Sequence, residues 1–213
     1  MAERSLLLKV DGSSGPPWPR RLFHAAVGTA IPVTAYFLPD LLPIILIGIL
    51  AAASLALDLV RFRVPWLNRQ FLYWLSLLVK KEEEAHITGA TYLLIAAFVS
   101  FLVFDKEIAV AVLLFLSLGD PAAALIGRPV PGPRIMGKSP IGTMAFVGVS
   151  LLVIAVLATT GVLEFQWVLV VAAVVAGLVE LAPLPLDDNL TVPLISGACA
   201  QYLPLLLQLQ SVP

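Results

Sequence analysis

The chain has 213 residues, 60% of them hydrophobic and only 13% charged, where an ordinary soluble domain carries about 25% charged residues. That shortage excludes a soluble core of this size, and a net charge of −1 gives no reason to expect a nucleic-acid partner. Continuous Leu, Ile, Val and Ala runs of about 17–20 residues, in place of short alternating segments, exclude a transmembrane barrel. They predict an all-α, polytopic transmembrane helical bundle.

In chain order, residues 1–20 are polar and rich in Pro and Gly from Gly12 to Pro19. They read as a disordered cytoplasmic lead-in with no cleavable signal peptide. Residues 21–210 read as a single transmembrane catalytic domain. Spans are expected at about 22–38, 41–58, 87–104, 108–127, 141–160, 166–185 and 190–208. The stretch from Trp66 to Val79 is too short and too polar to cross, and its aromatics suit the headgroup layer, so an interfacial helix is expected there. Seven spans place Arg4, Lys9, Arg20, Arg21, Arg61, Arg63, Arg69, Lys80, Lys81, Arg128, Arg134 and Lys138 on one side, and only Lys106 on the other. Basic residues mark the cytoplasmic face, so that side, with the N-terminus, is expected in the cytoplasm. Cys199, the one cysteine, lies in an apolar run and reads as a small packing residue.

Most acidic residues follow the basic ones to the same side, among them Asp58, Glu82, Glu83, Glu84, Asp120, Glu180, Asp187 and Asp188. A merely structural bundle has no need of carboxylates at span ends beside Lys and Arg. A site for a metal–nucleotide complex does, because carboxylates hold Mg²⁺ and cations neutralise phosphate. Gly119-Asp120-Pro121 predicts a broken or terminating helix exposing a carboxylate, against the plainer reading of a solvated cap. Gly127-Arg128 and the segment Gly137-Lys138-Ser139-Pro140-Ile141-Gly142-Thr143 could present a charge, hydroxyls and backbone N–H groups to phosphate at a helix mouth. Asp187-Asp188-Asn189 suits a hard cation or, more simply, a capped turn. Glu180 lies inside an apolar run. Arg20, Arg21 and His24 open the first span, and Asp58 with Arg61 reads as an i, i+3 ion pair.

The order Glu, two residues, Ile-Thr-Gly-Ala-Thr-Tyr, then Leu-Gly-Asp-Pro-Ala-Ala-Ala-Leu-Ile-Gly-Arg, then Lys-Ser, two residues, Gly-Thr, then Asp-Asp-Asn-Leu-Thr-Val-Pro resembles the CTP-dependent membrane lipid-alcohol kinases. That group includes dolichol kinase, phytol kinase and yeast-type diacylglycerol kinase, and is distantly similar to phosphatidate cytidylyltransferases. Two positions depart from its pattern: Ile141 stands where Glu is frequent and His86 where Arg is frequent.

The resemblance implies transfer of the γ-phosphoryl group of CTP to a lipid alcohol held in the membrane, with Mg²⁺ as cofactor. It implies Asp120, Asp187 and Asp188 for the metal and Lys138 for phosphate. Arg128, Ser139, Gly142, Thr143 and Asn189 would contact the nucleotide, and Glu84 or Glu180 would organise the site or take the hydroxyl proton. CDP-lipid synthesis and membrane transport remain the alternative readings; the acceptor alcohol and the oligomeric state are open.

Overall fold

The computed structural model describes residues 18–39, 41–79, 81–135 and 137–210. The lead-in as far as position 17, with Arg4 and Lys9, lies outside the described residues, as do Asp40 and Lys80. The described chain forms α1 Trp18–Phe37, α2 Leu41–Arg63, α3 Pro65–Trp74, α4 Gly89–Val103, α5 Lys106–Gly127, α6 Pro140–Thr159, α7 Trp167–Leu181 and α8 Asp188–Gln210. A 3-10 turn occupies Lys81–Glu84, and one isolated bridge pairs Ile135 with Lys138. The fold is all-helical, as the composition requires.

Helix starts follow local chemistry. Thr88 caps α4, its side chain accepting the Thr91 N–H, and Ser139 caps α6 with Pro140 at the first helical position, where a missing N–H costs nothing. Pro65 likewise opens α3, two residues after α2 ends.

The seven longer helices fall on the seven segments expected from sequence, but their lengths separate them. α2, α5, α6 and the Asp188–Leu207 part of α8 are long and apolar enough to cross a membrane. α4 and α7 are apolar but have only 15 residues each, a rise of about 22 Å against roughly 30 Å of hydrocarbon. α1 has 20 residues, with Arg20, Arg21 and His24 in its first two turns. The interfacial segment is also shorter than expected, because α3 ends at Trp74 and turns follow. None of its residues is buried, and Trp66, Tyr73 and Trp74 are all exposed.

The distribution of polarity is that of a membrane protein. Phe37, Ile49, Leu50, Leu152, Val156 and Leu178 are exposed, while Thr91, Ser100, Ser117, Ser150 and Ser196 are fully buried. Ser117, Ser150 and Ser196 each donate to the carbonyl four residues earlier, which meets the demand that polar groups in hydrocarbon be satisfied internally. α5 is the central element: Ala109 to Ser117 is continuously buried, and the helix packs on α1, α4, α6, α7 and α8. A helix apolar all round can lie only there.

Gly119-Asp120-Pro121 does not break α5, contrary to the sequence expectation. The helix runs through Pro121 to Gly127. Gly119 is instead a packing position, since a Cβ there would lie 2.7 Å from the Phe146 ring of α6. Pro121 removes one N–H, but the surrounding helices hold the remaining turns in place.

The antiparallel order gathers the C-terminal ends of α2, α5 and α7 with the N-terminal ends of α1, α4, α6 and α8 at one end of the bundle. One buried network organises the α2–α4 side of that end. Asp58 accepts from Arg61 Nε at 2.7 Å, from the Thr88 N–H at 3.0 Å and from Thr91 Oγ1 at 2.7 Å. Arg61, which is fully buried, donates to the carbonyls of Glu83, Glu84 and His86 and to Asn68 of α3. Its guanidinium also lies 4.6 Å from the centre of the Phe71 ring. The Asp58–Arg61 pair is thus an ion pair with a positioning role, pinning α3 and the 81–88 connection to α2.

Arg61→Met leaves Asp58 buried without its cation and frees three carbonyls. Removing one partner of a buried pair costs about 3–5 kcal/mol, which corresponds to a Tm roughly 10 °C lower for a chain of this size. A thermal melt of the detergent-solubilised variant checks this, and a Tm within about 2 °C of the parent would show that the network carries no stability.

Candidate functional site

At this end of the bundle a cavity of about 270 Å³ opens between α1, α5, α6, α7 and α8. Helical periodicity supplies its α5 wall: Leu116, Asp120, Ala123, Ala124 and Gly127 recur on one face. α1 adds Arg20, Arg21 and His24; the α5–α6 loop and the start of α6 add Arg128, Arg134, Lys138, Ser139 and Gly142. Glu180 comes from the last turn of α7, and Asp187, Asp188 and Asn189 from the start of α8. Residues about 170 positions apart in sequence therefore face one space.

Charge is mixed within it. Five cationic side chains, Arg20, Arg21, Arg128, Arg134 and Lys138, line the cavity with four carboxylates. Lys138 Nζ lies 2.8 Å from Asp188 Oδ2 and 3.4 Å from Glu180 Oε1, and it also donates to the Glu180 carbonyl. Burial pulls the Lys138 ammonium down, but the hydrogen bond and charge of Asp188, with the charge of Glu180, outweigh it and hold it above its ordinary 10.5. The lysine is therefore cationic throughout the neutral range. Asp120, half-buried on α5, is within electrostatic reach of Arg21, Glu180 and Asp188.

Several of the expected nucleotide contacts have identifiable local tasks. Ser139 is the α6 cap. Thr143 is buried and approaches Glu180 Oε2 at 3.4 Å, so it orients a carboxylate and does not itself line the cavity. Gly142 lets α6 approach the α5 backbone, since a Cβ there would meet the Ala123 carbonyl at 2.7 Å. Asp187 caps α8, its Oδ1 accepting the Asn189 N–H at 2.9 Å. Arg134 donates to the carbonyls of Gly127, Arg128 and Val130, tying off the C-terminal end of α5.

Of the carboxylates expected from sequence, Asp120, Glu180, Asp187 and Asp188 are brought together, while Glu84 is not. Glu84 is exposed, and its carbonyl, not its side chain, is engaged by Arg61 and Asn68. Glu83, by contrast, is buried, with Oε1 2.9 Å from Arg20 Nη2 and 3.3 Å from the Gly89 N. The sequence carried no sign that Glu83 and not Glu84 turns inward, because a 3-10 turn and the Arg61 network set that choice. Neither Ile141 nor His86, the two departures from the family pattern, lines this cavity.

Among the described residues no group of three or more His, Cys, Asp or Glu side chains is preassembled for a metal ion. That arrangement is compatible with Mg²⁺ arriving on a nucleotide. Magnesium so bound needs only one or two carboxylates, the phosphates and water supplying its other oxygens. Asp120 and Asp188 sharing a cavity with five cations fit that demand.

A second cavity, of about 320 Å³, adjoins the first and is mostly apolar. It lies between α1, α2, α3 and α4, and Arg20, His24 and Asn189 line both.

A CTP-dependent diacylglycerol kinase of Schizosaccharomyces pombe is 29% identical over 203 residues, covering 87% of this chain and 92% of that protein. The chain is thus similar, over most of its length, to a CTP-dependent diacylglycerol kinase. An uncharacterised protein of Rickettsia prowazekii is 25% identical over 182 residues, 82% of this chain and 88% of its own length. The CTP-dependent diacylglycerol kinase of Saccharomyces cerevisiae is 30% identical over 117 residues, 52% of this chain but only 38% of that longer protein. No family model matches the chain, and no solved structure matches it. For a chain similar to such a kinase, the balance of cations and carboxylates in the first cavity has a direct chemical reading.

Proposed function

We propose that the protein is an integral-membrane kinase that transfers the γ-phosphoryl group of CTP to the hydroxyl of a lipid alcohol. Diacylglycerol is the first acceptor to test, and dolichol or polyprenol, phytol and geranylgeraniol are the others. The observation that carries this reading is the cavity in which Asp120, Glu180, Asp187 and Asp188 stand beside Arg20, Arg21, Arg128 and Lys138 at one end of an apolar bundle. A pocket of carboxylates alone would suit a bare cation, and one of cations alone a bare phosphate. The mixture suits a metal–triphosphate complex.

Seven of the helices cross the bilayer in this reading, the shorter α4 and α7 included, with residues 21–210 forming one catalytic domain. The end holding the site, with the N-terminus, faces the cytoplasm and its soluble nucleotide. α3 lies in the interface. Mg²⁺ bound through Asp120 and Asp188, with Asp187 beside them, would offset the charge of the β- and γ-phosphates. Arg20, Arg21, Arg128 and Lys138 bind and orient the triphosphate, and the capped start of α6 at Ser139 offers backbone N–H groups to it. Thr143 holds Glu180 in place. The lipid hydroxyl oxygen bonds to the γ-phosphorus as the bridging oxygen leaves with CDP, and its proton passes to a carboxylate at the site. Little covalent chemistry is left for the protein beyond positioning and neutralisation.

The test uses purified protein in detergent, γ-labelled CTP or ATP, Mg²⁺ and the panel of alcohols. Label in an organic-soluble lipid monophosphate supports the proposal and names both substrates. Absence of labelled lipid with every pair sinks it. Labelled pyrophosphate released in the presence of phosphatidate would move the assignment to CDP-lipid synthesis.

A further inference from the structure

The apolar cavity has its polar atoms gathered at one end. Phe23, Val27, Phe71, Leu75, Leu78 and Leu94 are typical of its wall, drawn from α1, from α3 with the turns after it, and from α4. At the other end stand Arg20, His24, Asp58, Glu83, Thr88 and Asn189. Two of these residues are carboxylates with different surroundings. Asp58 already accepts from Arg61, from the Thr88 N–H and hydroxyl and from Thr91, so its oxygens are committed to the fold. Glu83 sits where the two cavities meet. A Cβ on Gly89 would lie 2.8 Å from Asn189 Nδ2 and 3.4 Å from both Arg20 Nη2 and Glu83 Oε1, so the absent side chain at Gly89 lets three polar groups converge. Arg20 reaches Glu83 through Nη2, while its buried Nη1 has no hydrogen-bond partner among the described residues. A buried guanidinium N–H left open between two cavities is a group built for a ligand.

We propose that this apolar cavity seats one hydrocarbon chain of the acceptor lipid, with its hydroxyl held at Glu83 against the nucleotide cavity. The proposal rests on the kinase reading and deepens it. About 320 Å³ lies at the lower end of ligand-pocket sizes, roughly 300–1,000 Å³. The cavity therefore takes the part of one chain nearest the hydroxyl, and the remainder stays among the lipids. α3, anchored through Asn68 and Phe71 to Arg61, forms the wall on the interfacial side. Glu83 accepts the hydroxyl hydrogen bond and orients the oxygen. As the new O–P bond forms and the bridging O–P bond of CTP breaks, the proton moves to the carboxylate and then to water, with CDP as leaving group. Glu83 is held in position by Arg20. A loose phosphoryl-transfer transition state asks mainly for orientation of the attacking hydroxyl.

The experiment compares wild type with Val27→Trp and Leu94→Trp, which fill the wall without touching the first cavity, and with Glu83→Gln. The tryptophan variants are expected to raise the KM for the lipid alcohol about tenfold or more and leave the KM for CTP unchanged. Glu83→Gln is expected to lower kcat about 10²-fold. Unaltered lipid kinetics in tryptophan variants that elute as folded protein would overturn the proposal. Should those variants misfold, a lipid alcohol bearing a diazirine near its hydroxyl, photolysed on the wild-type protein, decides instead. Labelled peptides from α1, α2, α3 or α4 support the proposal, and label confined to other helices overturns it. A wild-type enzyme that phosphorylates no lipid defeats the kinase reading itself. An active wild type with indifferent variants defeats only the chain site.

Discussion

Asp120→Asn is expected to lower lipid phosphorylation on the order of 10²–10³-fold while leaving the protein as stable as its parent. Both halves follow from the same surroundings. Asp120 shares its cavity with Glu180 and Asp188, whose charges repel it, and with Arg21, whose charge attracts it. Asp120 is only half-buried and faces a solvent-open cavity, so neutralising the side chain is expected to leave Tm within about 2 °C. On the proposed reading the balance changes in the reacting complex, where the carboxylate would face a divalent cation. Its loss removes an interaction made with developing charge, and the effect should fall on kcat and on the Mg²⁺ requirement. Initial rates against Mg²⁺ at saturating CTP, alongside a detergent melt, make the measurement. A variant retaining more than about a tenth of wild-type kcat would remove Asp120 from the metal role.

Lys138→Met should separate function from stability in a different way. The lysine and Asp188 are each about a third exposed, at 31% and 37%, so solvent screens their pair. The folding contribution is therefore small, about 1 kcal/mol. Because Lys138 is held above its ordinary 10.5, that contribution is complete at neutral pH and is lost only as pH rises beyond that value. Activity should nonetheless fall about 10²-fold or more, since Asp188, Glu180 and Asp120 are left facing the incoming triphosphate without that cation. The loss should lie mainly in kcat/KM for CTP. A variant with near-normal kcat/KM would make the lysine a structural tie between the α5–α6 loop and α8.

Much of the architecture was legible from patterning. Unbroken apolar runs determined that the chain is a helical membrane protein, because hydrocarbon tolerates no unsatisfied backbone. The one-sided distribution of charged residues marked the end of the bundle where Asp120, Lys138, Glu180, Asp187 and Asp188 would assemble. The order of four short blocks indicated the kinase relationship before any distance was known. Other features depended on interactions that periodicity does not contain. Gly-Asp-Pro would end a helix in water, yet α5 continues through it because Phe146 packs against Gly119 and five helices enclose it. The choice of Glu83 over Glu84 is made by a 3-10 turn whose carbonyls Arg61 holds from α2. The expected roles of Gly142 and Thr143 also look different once α6 and α7 are placed: one permits backbone contact and the other holds Glu180.

What the sequence by itself determined is therefore composition, class, helix positions and the end of the bundle where the charged residues gather, all consequences of local hydropathy and residue type. Only the tertiary structure decided which carboxylates face one another, that the mixed-charge cavity adjoins an apolar one, and that Arg20, Glu83 and Asn189 meet at Gly89. Those are contacts between residues as many as 169 positions apart, and they exist only when antiparallel helices bring their ends together.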